Sequence, residues 1–284
     1  MAGAFSANIL DAATQFNLGG NRVLSVSGDQ QSPNSNIFAG VGAGASNTTG
    51  VGNSFFGVDA GNSNTFAFGN SFFGRSAGFH NTNSRNSFFG DSSGHANTTG
   101  AANSFFGAGA GFNSTTGHEN SFFGADSGLS NTTGRSNSFF GFDAGRQTSS
   151  GGDNSFFGKG AGLNNETGSL NSFFGRVAGV LNTTGSNLTI IGALANVGSN
   201  NLTFATAIGA GAVVNSSNTV VLGRSGDAVG IGTPAPKTKL HLTGGKIYVE
   251  ANGQGIILKS PGGVCFELTV TDTGALTTAV VACP

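Results

Sequence analysis

Asn120-Ser-Phe-Phe-Gly-Ala-Asp-Ser-Gly-Leu-Ser-Asn-Thr-Thr-Gly-Arg-Ser136 is one unit of a repeat, and its reading decides the fold. Its Asn-Ser-Phe-Phe-Gly core occurs eight times, with aromatic pairs at Phe55/Phe56, Phe72/Phe73, Phe88/Phe89, Phe105/Phe106, Phe122/Phe123, Phe139/Phe140, Phe156/Phe157 and Phe173/Phe174. Successive pairs lie about 17 residues apart, a period short enough to make each repeat one coil of a solenoid. The step from Phe72 to Phe88 is shorter by a single position. Within the unit, Gly124, Gly128 and Gly134 are spaced as three turns. Glycine takes positive φ without steric cost, so such corners are open to it. Strands of about three or four residues fit between them, stable only when stacked as rungs of a parallel sheet about 4.8 Å apart.

Adjacent strand residues face opposite sides, so the two rings of a pair do not share one core. One enters the coil and the other points out. A column of outward Phe is a large apolar stripe. Each buried ring is worth roughly 2–3 kcal/mol, so the stripe calls for a second copy of the chain, with cyclic symmetry placing it on an axis. The alternative is a wide monomeric coil that holds both rings.

The columns run beyond the Phe motif. The glycine after the pair recurs from Gly40 to Gly223, and the position before it reads Ala39, eight Phe, then Ile191, Ile208 and Leu222. The position before that reads Phe38, eight Phe, then Ile190, Ala207 and Val221. From Ala205 to Asn218 the period shortens to about 14 residues, so the solenoid narrows there. About eleven coils at the rung spacing give a rod roughly 50 Å long.

Composition fits this reading. The chain has 284 residues, 50 Gly, 26 Phe and 9% charged residues. Glycine does not fall at every third position, which excludes collagen. Regularly placed Phe can be buried, which low-complexity linkers cannot achieve. A net charge of −1 provides no basic field for nucleic acid or anionic lipid. No apolar run reaches the length of a membrane span. No charged segment followed by an apolar one opens the chain, so the expectation is that a signal peptide is absent or removed.

The stretch Asn187–Gly232, with Leu188-Thr-Ile-Ile-Gly192, Ala205-Thr-Ala-Ile-Gly209 and Asn218-Thr-Val-Val-Leu-Gly223, resembles the head repeats of trimeric autotransporter adhesins, the YadA-like family. That resemblance implies a trimer of left-handed parallel β-rolls with short coils, of the length seen at Ala205–Asn218. The Phe repeats look like a longer variant of that coil. The alignment implies that the second Phe of each pair lines the roll and the first faces the trimer axis. The segment Val229-Gly-Ile-Gly-Thr-Pro-Ala-Pro-Lys-Thr-Lys-Leu-His-Leu242 resembles the junction of bacterial and phage tail-fibre-like proteins, where it leads into a distal region.

Both ends lack the repeat. Phe16-Asn-Leu-Gly-Gly and Arg22-Val-Leu-Ser-Val read as strands around a turn, a cap on the first rung or a subunit junction. Toward the other end, Lys246–Ala251 and Gly255–Ser260 read as a hairpin through Asn252-Gly253. Val264–Thr271 and Ala275–Cys283 read as a second hairpin, with the turn near Gly274 setting Cys265 opposite Cys283. Facing positions suit a disulfide, and a disulfide suits an oxidising, extracellular compartment. Two unpaired buried thiols are the alternative. The expected divisions are thus a cap or junction at 1–33, the Phe-Phe-Gly solenoid at 34–204, shorter coils at 205–232, a linker at 233–242 and hairpins at 243–284.

Chemistry finds few footholds. Asp126 and Asp143 share a column with Asp59, and stacked carboxylates can bind Ca²⁺ or act as an acid–base pair. Ser76, Ser92 and Gly109 interrupt them, so solvated turn residues are the simpler reading. His80, His95, His118 and His241 share no column and show no partner at ligand spacing. No nucleophile elbow, phosphate loop or Cys-x-x-Cys is present. The Asn-Thr-Thr-Gly turns at Asn47, Asn97, Asn131 and Asn182 are formal N-glycosylation acceptors, or Asn and Thr that satisfy turn backbone and stack as ladders. A stacked Thr surface is also a candidate for ice or glycan binding.

The expectation is an all-β parallel solenoid, a non-enzymatic extracellular fibre or filament without cofactor or metal. It forms a homo-oligomer, a trimer by resemblance, and is open to end-to-end assembly and to a surface glycan or receptor. A receptor-binding tail fibre of a phage or contractile injection apparatus is the second reading. A polysaccharide-cleaving fibre is the third.

Overall fold

The computed structural model describes residues 15–18, 20–27, 35–250 and 254–284. Among these, every regular element is a β-strand. One compact unit ends at Asp227 and a second spans Ala228–Pro284.

In the first unit, β1 (Gln15–Leu18) pairs antiparallel with β2 (Asn21–Ser27), and β2 pairs antiparallel with β3 (Asn36–Ala39). The strands expected around the N-terminal turn are therefore present, and they cover the edge of the first rung. From β3 the sheet runs parallel through β4 (Ser54–Phe56), β5 (Ser71–Phe73), β6 (Ser87–Phe89), β7 (Ser104–Phe106), β8 (Ser121–Phe123), β9 (Ser138–Phe140), β10 (Ser155–Phe157), β11 (Ser172–Phe174) and β12 (Thr189–Ile191). A short β13 (Asn196–Val197) lies on another side of the coil and pairs with β15 (Val213–Val214). The main sheet ends with β14 (Thr206–Ile208) and β16 (Val220–Leu222), making 14 strands in all.

Registers are repeated without slippage: Phe122 faces Phe139 and Phe123 faces Phe140. Thr189 pairs with Thr206, and Thr206 pairs with Val220, so the last coil is shorter than those before it, as the sequence indicates.

The strand alternation is present, but the assignment of the two rings is reversed. The first Phe of each pair lines the coil: Phe55, Phe72, Phe88, Phe105, Phe122, Phe139, Phe156 and Phe173 are fully buried. Their rings stack with centroids 4.8–4.9 Å apart, and Ile190 and Ala207 continue the column. The second Phe faces outward. The reason lies in Gly128 and its equivalents. A Cβ at Gly128 (φ 59°) would penetrate the ring of Phe122, so a hole at this point of each coil receives the first ring. The glycine after the pair has a different role. At Gly124 (φ 135°) a Cβ would collide with the backbone of Gly141 in the next coil, so only glycine lets the rungs approach.

The core is not purely apolar. The Asn that opens each motif is buried in every Phe coil. Asn120 Nδ2 donates to the Gly134 carbonyl (2.8 Å), and Asn120 Oδ1 accepts from the Asn137 backbone N–H (3.0 Å). The same contacts recur at Asn103, Asn137 and Asn154, giving an internal amide ladder that ties each coil to the next. Leu188 and Ala205 take over this position where the coils become aliphatic.

In the second unit, β17 (Val229–Ile231) pairs parallel with β18 (Leu240–Leu242). β19 (Ile256–Lys259), β20 (Cys265–Val270) and β21 (Leu276–Val281) form an antiparallel sheet in that order. The hairpin expected between Lys246–Ala251 and Gly255–Ser260 is absent: residues 246–250 form no strand, and Ala251, Asn252 and Gly253 lie outside the described residues. β19 pairs with β20 instead, through a turn closed by Ser260 N–H donating to the Val264 carbonyl (2.8 Å). The β20–β21 hairpin forms as expected, but Cys265 faces Val281, not Cys283. The turn centres on Thr273, and moving a centre by one residue moves each partner by two. The Cys265–Cys283 disulfide nonetheless closes, with Cα atoms 5.3 Å apart.

Candidate functional site

The feature with most capacity to act is the outer face of the main sheet. Phe56, Phe73, Phe89, Phe106, Phe123, Phe140, Phe157 and Phe174 form one column, with ring centroids 4.6–4.9 Å apart. Interplanar angles are 2–9°, so the rings lie as parallel plates. Stacking half-buries most of them, and Phe174 is 40% exposed. Ile191, Ile208 and Leu222 extend the stripe, each exposed. The neighbouring outward position on each Phe rung is a half-buried Ser, Ser54 to Ser172. The strip carries no charge and has a fixed pitch.

The other candidates are less promising. Asp59, Asp126 and Asp143 all sit at left-handed turn positions, with φ of 55–58°. Asp59 accepts from Asn62 Nδ2 at 3.2 Å, and Arg146 Nε lies 3.5 Å from Asp143. Their column is a turn column, occupied elsewhere by Ser76, Val177 and Leu194 with similar φ. Asp126 shares an open hollow of about 490 Å³ with Asp91, where Gly109 leaves the column without a side chain.

Histidines are the exception to their expected isolation. The His80 and His95 rings meet edge-on at 5.2 Å, because His80 N–H donates to the His95 carbonyl across the shortened coil. His95 also stacks between Phe79 (5.4 Å) and Phe112 (5.0 Å). Burial, and then the neighbouring His80, hold its pKa below the ordinary histidine value. The spacing of Phe79, His95 and Phe112 follows the coil period, so this stack had a signal in the sequence. His118 lies 3.6 Å from Glu119, and His241 accepts from the Lys237 N–H. Among the described residues, no group of three or more His, Cys, Asp or Glu is placed to hold a metal ion, and no helix is long and apolar enough to cross a membrane.

Burial opposes the glycosylation reading. Asn97, Asn131 and Asn182 are buried, and their Nδ2 atoms donate to the carbonyls of Gly100, Gly134 and Gly185. The Asn47 Nδ2 atom is likewise closed off from solvent. A turn this tight needs the amide inside to satisfy its own backbone, which leaves no nitrogen for a sugar. Half of the Thr surface is also engaged: Thr98 and Thr115 hydroxyls donate to carbonyls of the next coil, while Thr99, Thr116 and Thr133 stay exposed.

Sequence reasoning alone misses the motif Asn ladder, whose residues enter it only as part of the repeat. Its signal was the invariance of one amide per coil beside two aromatics, which a solvated turn does not require. No protein family, curated protein or solved structure matches this chain.

Proposed function

We propose that the chain is a non-enzymatic structural protein whose solenoid is the rigid shaft of a homo-oligomeric extracellular fibre, three copies meeting along their outer Phe ladders. The observation that carries this reading is the uninterrupted, charge-free column from Phe56 to Phe174, continued by Ile191, Ile208 and Leu222. It is the second Phe of each pair that faces the shared axis. Rigidity follows from in-register rungs, the amide ladder and the stacked inner rings. The Cys265–Cys283 disulfide supports an oxidising compartment. End-to-end assembly extends this reading, through a contact other than rung on rung because β1 and β2 cover the first edge.

A receptor-binding tail fibre is the second reading, and the Val229–Leu242 segment, whose ends pair as β17 and β18, favours it. A surface glycan or receptor is then the ligand of the distal region.

The test replaces Phe106 and Phe140 with Asp in the full chain. These side chains lie outside the coil, so far-UV circular dichroism stays as in the parent. Mass by light scattering falls to that of one chain. An unchanged mass refutes the ladder as the interface. Electron microscopy of the parent protein shows rods, and rods joined end to end distinguish a filament from a discrete fibre.

A further inference from the structure

Among its described residues the unit Ala228–Pro284 shows no apolar core. Of its described residues only Cys265 is buried. Yet its sheet is two-sided. Paired residues share a face and alternate rows share it too. One face therefore carries the row Leu258, Phe266, Val280 and the row Val270, Leu276. Ile256 and Leu268 add a third row, beside Thr278, the one polar member. The opposite face is mixed. It carries Lys259, Glu267 and the disulfide beside Ile257, Ala279 and Val281, together with Thr269 and Thr277, whose hydroxyls bond at 2.9 Å.

The apolar face is open. Leu276 is 71% exposed, Val280 69% and Leu258 56%. Ile247 and Val249 border it, lining with Ile256, Leu268 and Leu276 a hollow of about 500 Å³, but Ile247 is itself 67% exposed. A three-stranded sheet needs a hydrophobic layer against it to be stable in water.

We infer that the apolar face of β19–β21 is an interface with the same face of other copies of this chain. Three observations select that occupant. Its three rows carry no charge, so identical rows meet without repulsion, and the exposed carboxylates of Glu250 and Asp272 that line the adjoining hollow lie outside those rows. Leu258, Val270, Leu276 and Val280 are each more than half exposed, and apolar side chains of this kind form the core of a standard interface of roughly 800 Å² per partner. Branched aliphatic side chains on a flat sheet interdigitate with their like when two sheets pack about 10 Å apart. The interface shares with the proposed fibre the premise that the chain self-associates, but it does not depend on the Phe ladder. Where the ladder already gathers copies, the covalent link to each solenoid raises the effective concentration of the C-terminal sheets.

The experiment uses the full chain with a photo-crosslinking benzoylphenylalanine at Leu276, mixed as ¹⁴N and ¹⁵N copies and irradiated. Mixed-isotope crosslinks to β19–β21 are expected, and none from the same probe at Thr277 on the opposite face. Crosslinks confined to one copy, or to its own solenoid, overturn the inference. Running the probe in the Phe106→Asp, Phe140→Asp background at high protein concentration separates the two interfaces: inter-copy links at Leu276 persist there even if assembly through the ladder is lost. As a second measurement, Leu258→Asp with Leu276→Asp makes the C-terminal unit at least tenfold more sensitive to limited proteolysis and leaves the solenoid intact. Equal sensitivity of parent and variant contradicts a covered face.

Discussion

In the solenoid the ring of Phe122 has no exposed surface, and that of Phe123 is half-buried by the rings above and below it. In the C-terminal sheet Leu258, Leu276 and Val280 stand more than half exposed, with no layer over them among the described residues. Both regions are built from short strands with period-2 alternation. They differ in how the buried face is made. A coil wraps around and supplies its own inner face, so each repeat is finished once a neighbour stacks on it. A flat three-stranded sheet has no inside, and its apolar face waits for another surface. The solenoid thus contains both cases: a self-made core in its first Phe column, and an unfinished face in its second.

The sharpest test of that contrast sets the two ladders against each other. Phe122→Ala opens a cavity among stacked rings and costs about 3–5 kcal/mol. Phe123→Ala, measured on dissociated chains, costs about 1 kcal/mol, since that ring gains only from its stacking neighbours. Denaturant titration of both variants checks the difference, and equal losses break the comparison. In the C-terminal unit the disulfide stands in for the missing core. Reduction lowers the stability of that unit by about 3 kcal/mol in the loop-closure account. Hydrogen exchange then rises in β19–β21 and stays unchanged in β4–β11. Asn120→Ala removes one rung of the amide ladder, leaving the Asn137 N–H unpaired while the Gly134 carbonyl keeps its bond from Asn131, at a cost of about 1–3 kcal/mol. A loss near zero, read by thermal melting, shows that the ladder contributes nothing beyond packing.

The smallest effect concerns pH. The pKa of His95 is held below its ordinary value of 6.5 by burial and by His80. The unfolded chain therefore binds more protons than the folded one as pH drops below the ordinary value. Stability falls with acidification through that window and levels off below the folded pKa. Melting at about pH 7.5 and about pH 5.5 shows the shift, and His95→Phe, which matches Phe79 and Phe112, reduces it.

Much of the architecture was legible. The period, the parallel registers and the shortened coil at Ala205–Asn218 follow from spacing, while the Cys265–Cys283 pairing was expected from a register that proves two residues off. The choice between the two Phe was not, because identical residues carry no label. It is made by Gly128 and its equivalents, several residues away, which leave the hole that one ring fills. The hairpin at Asn252-Gly253 misled because β19 had two possible neighbours, and the turn at Ser260–Val264 brought it to β20. Local turn chemistry gives no means of ranking such partners. The glycosylation motif misled for a related reason: it describes a sequence, while a coil of this period turns that Asn inward to satisfy its own turn.

The central claim is that the exposed apolar columns are completed by other copies of the same chain. The most direct measurement is the absolute mass of the intact protein in solution by light scattering across a range of concentrations. The account predicts a species of three chains, each of 28.1 kDa, or an end-to-end multiple of it. A mass of one chain at all concentrations contradicts the account.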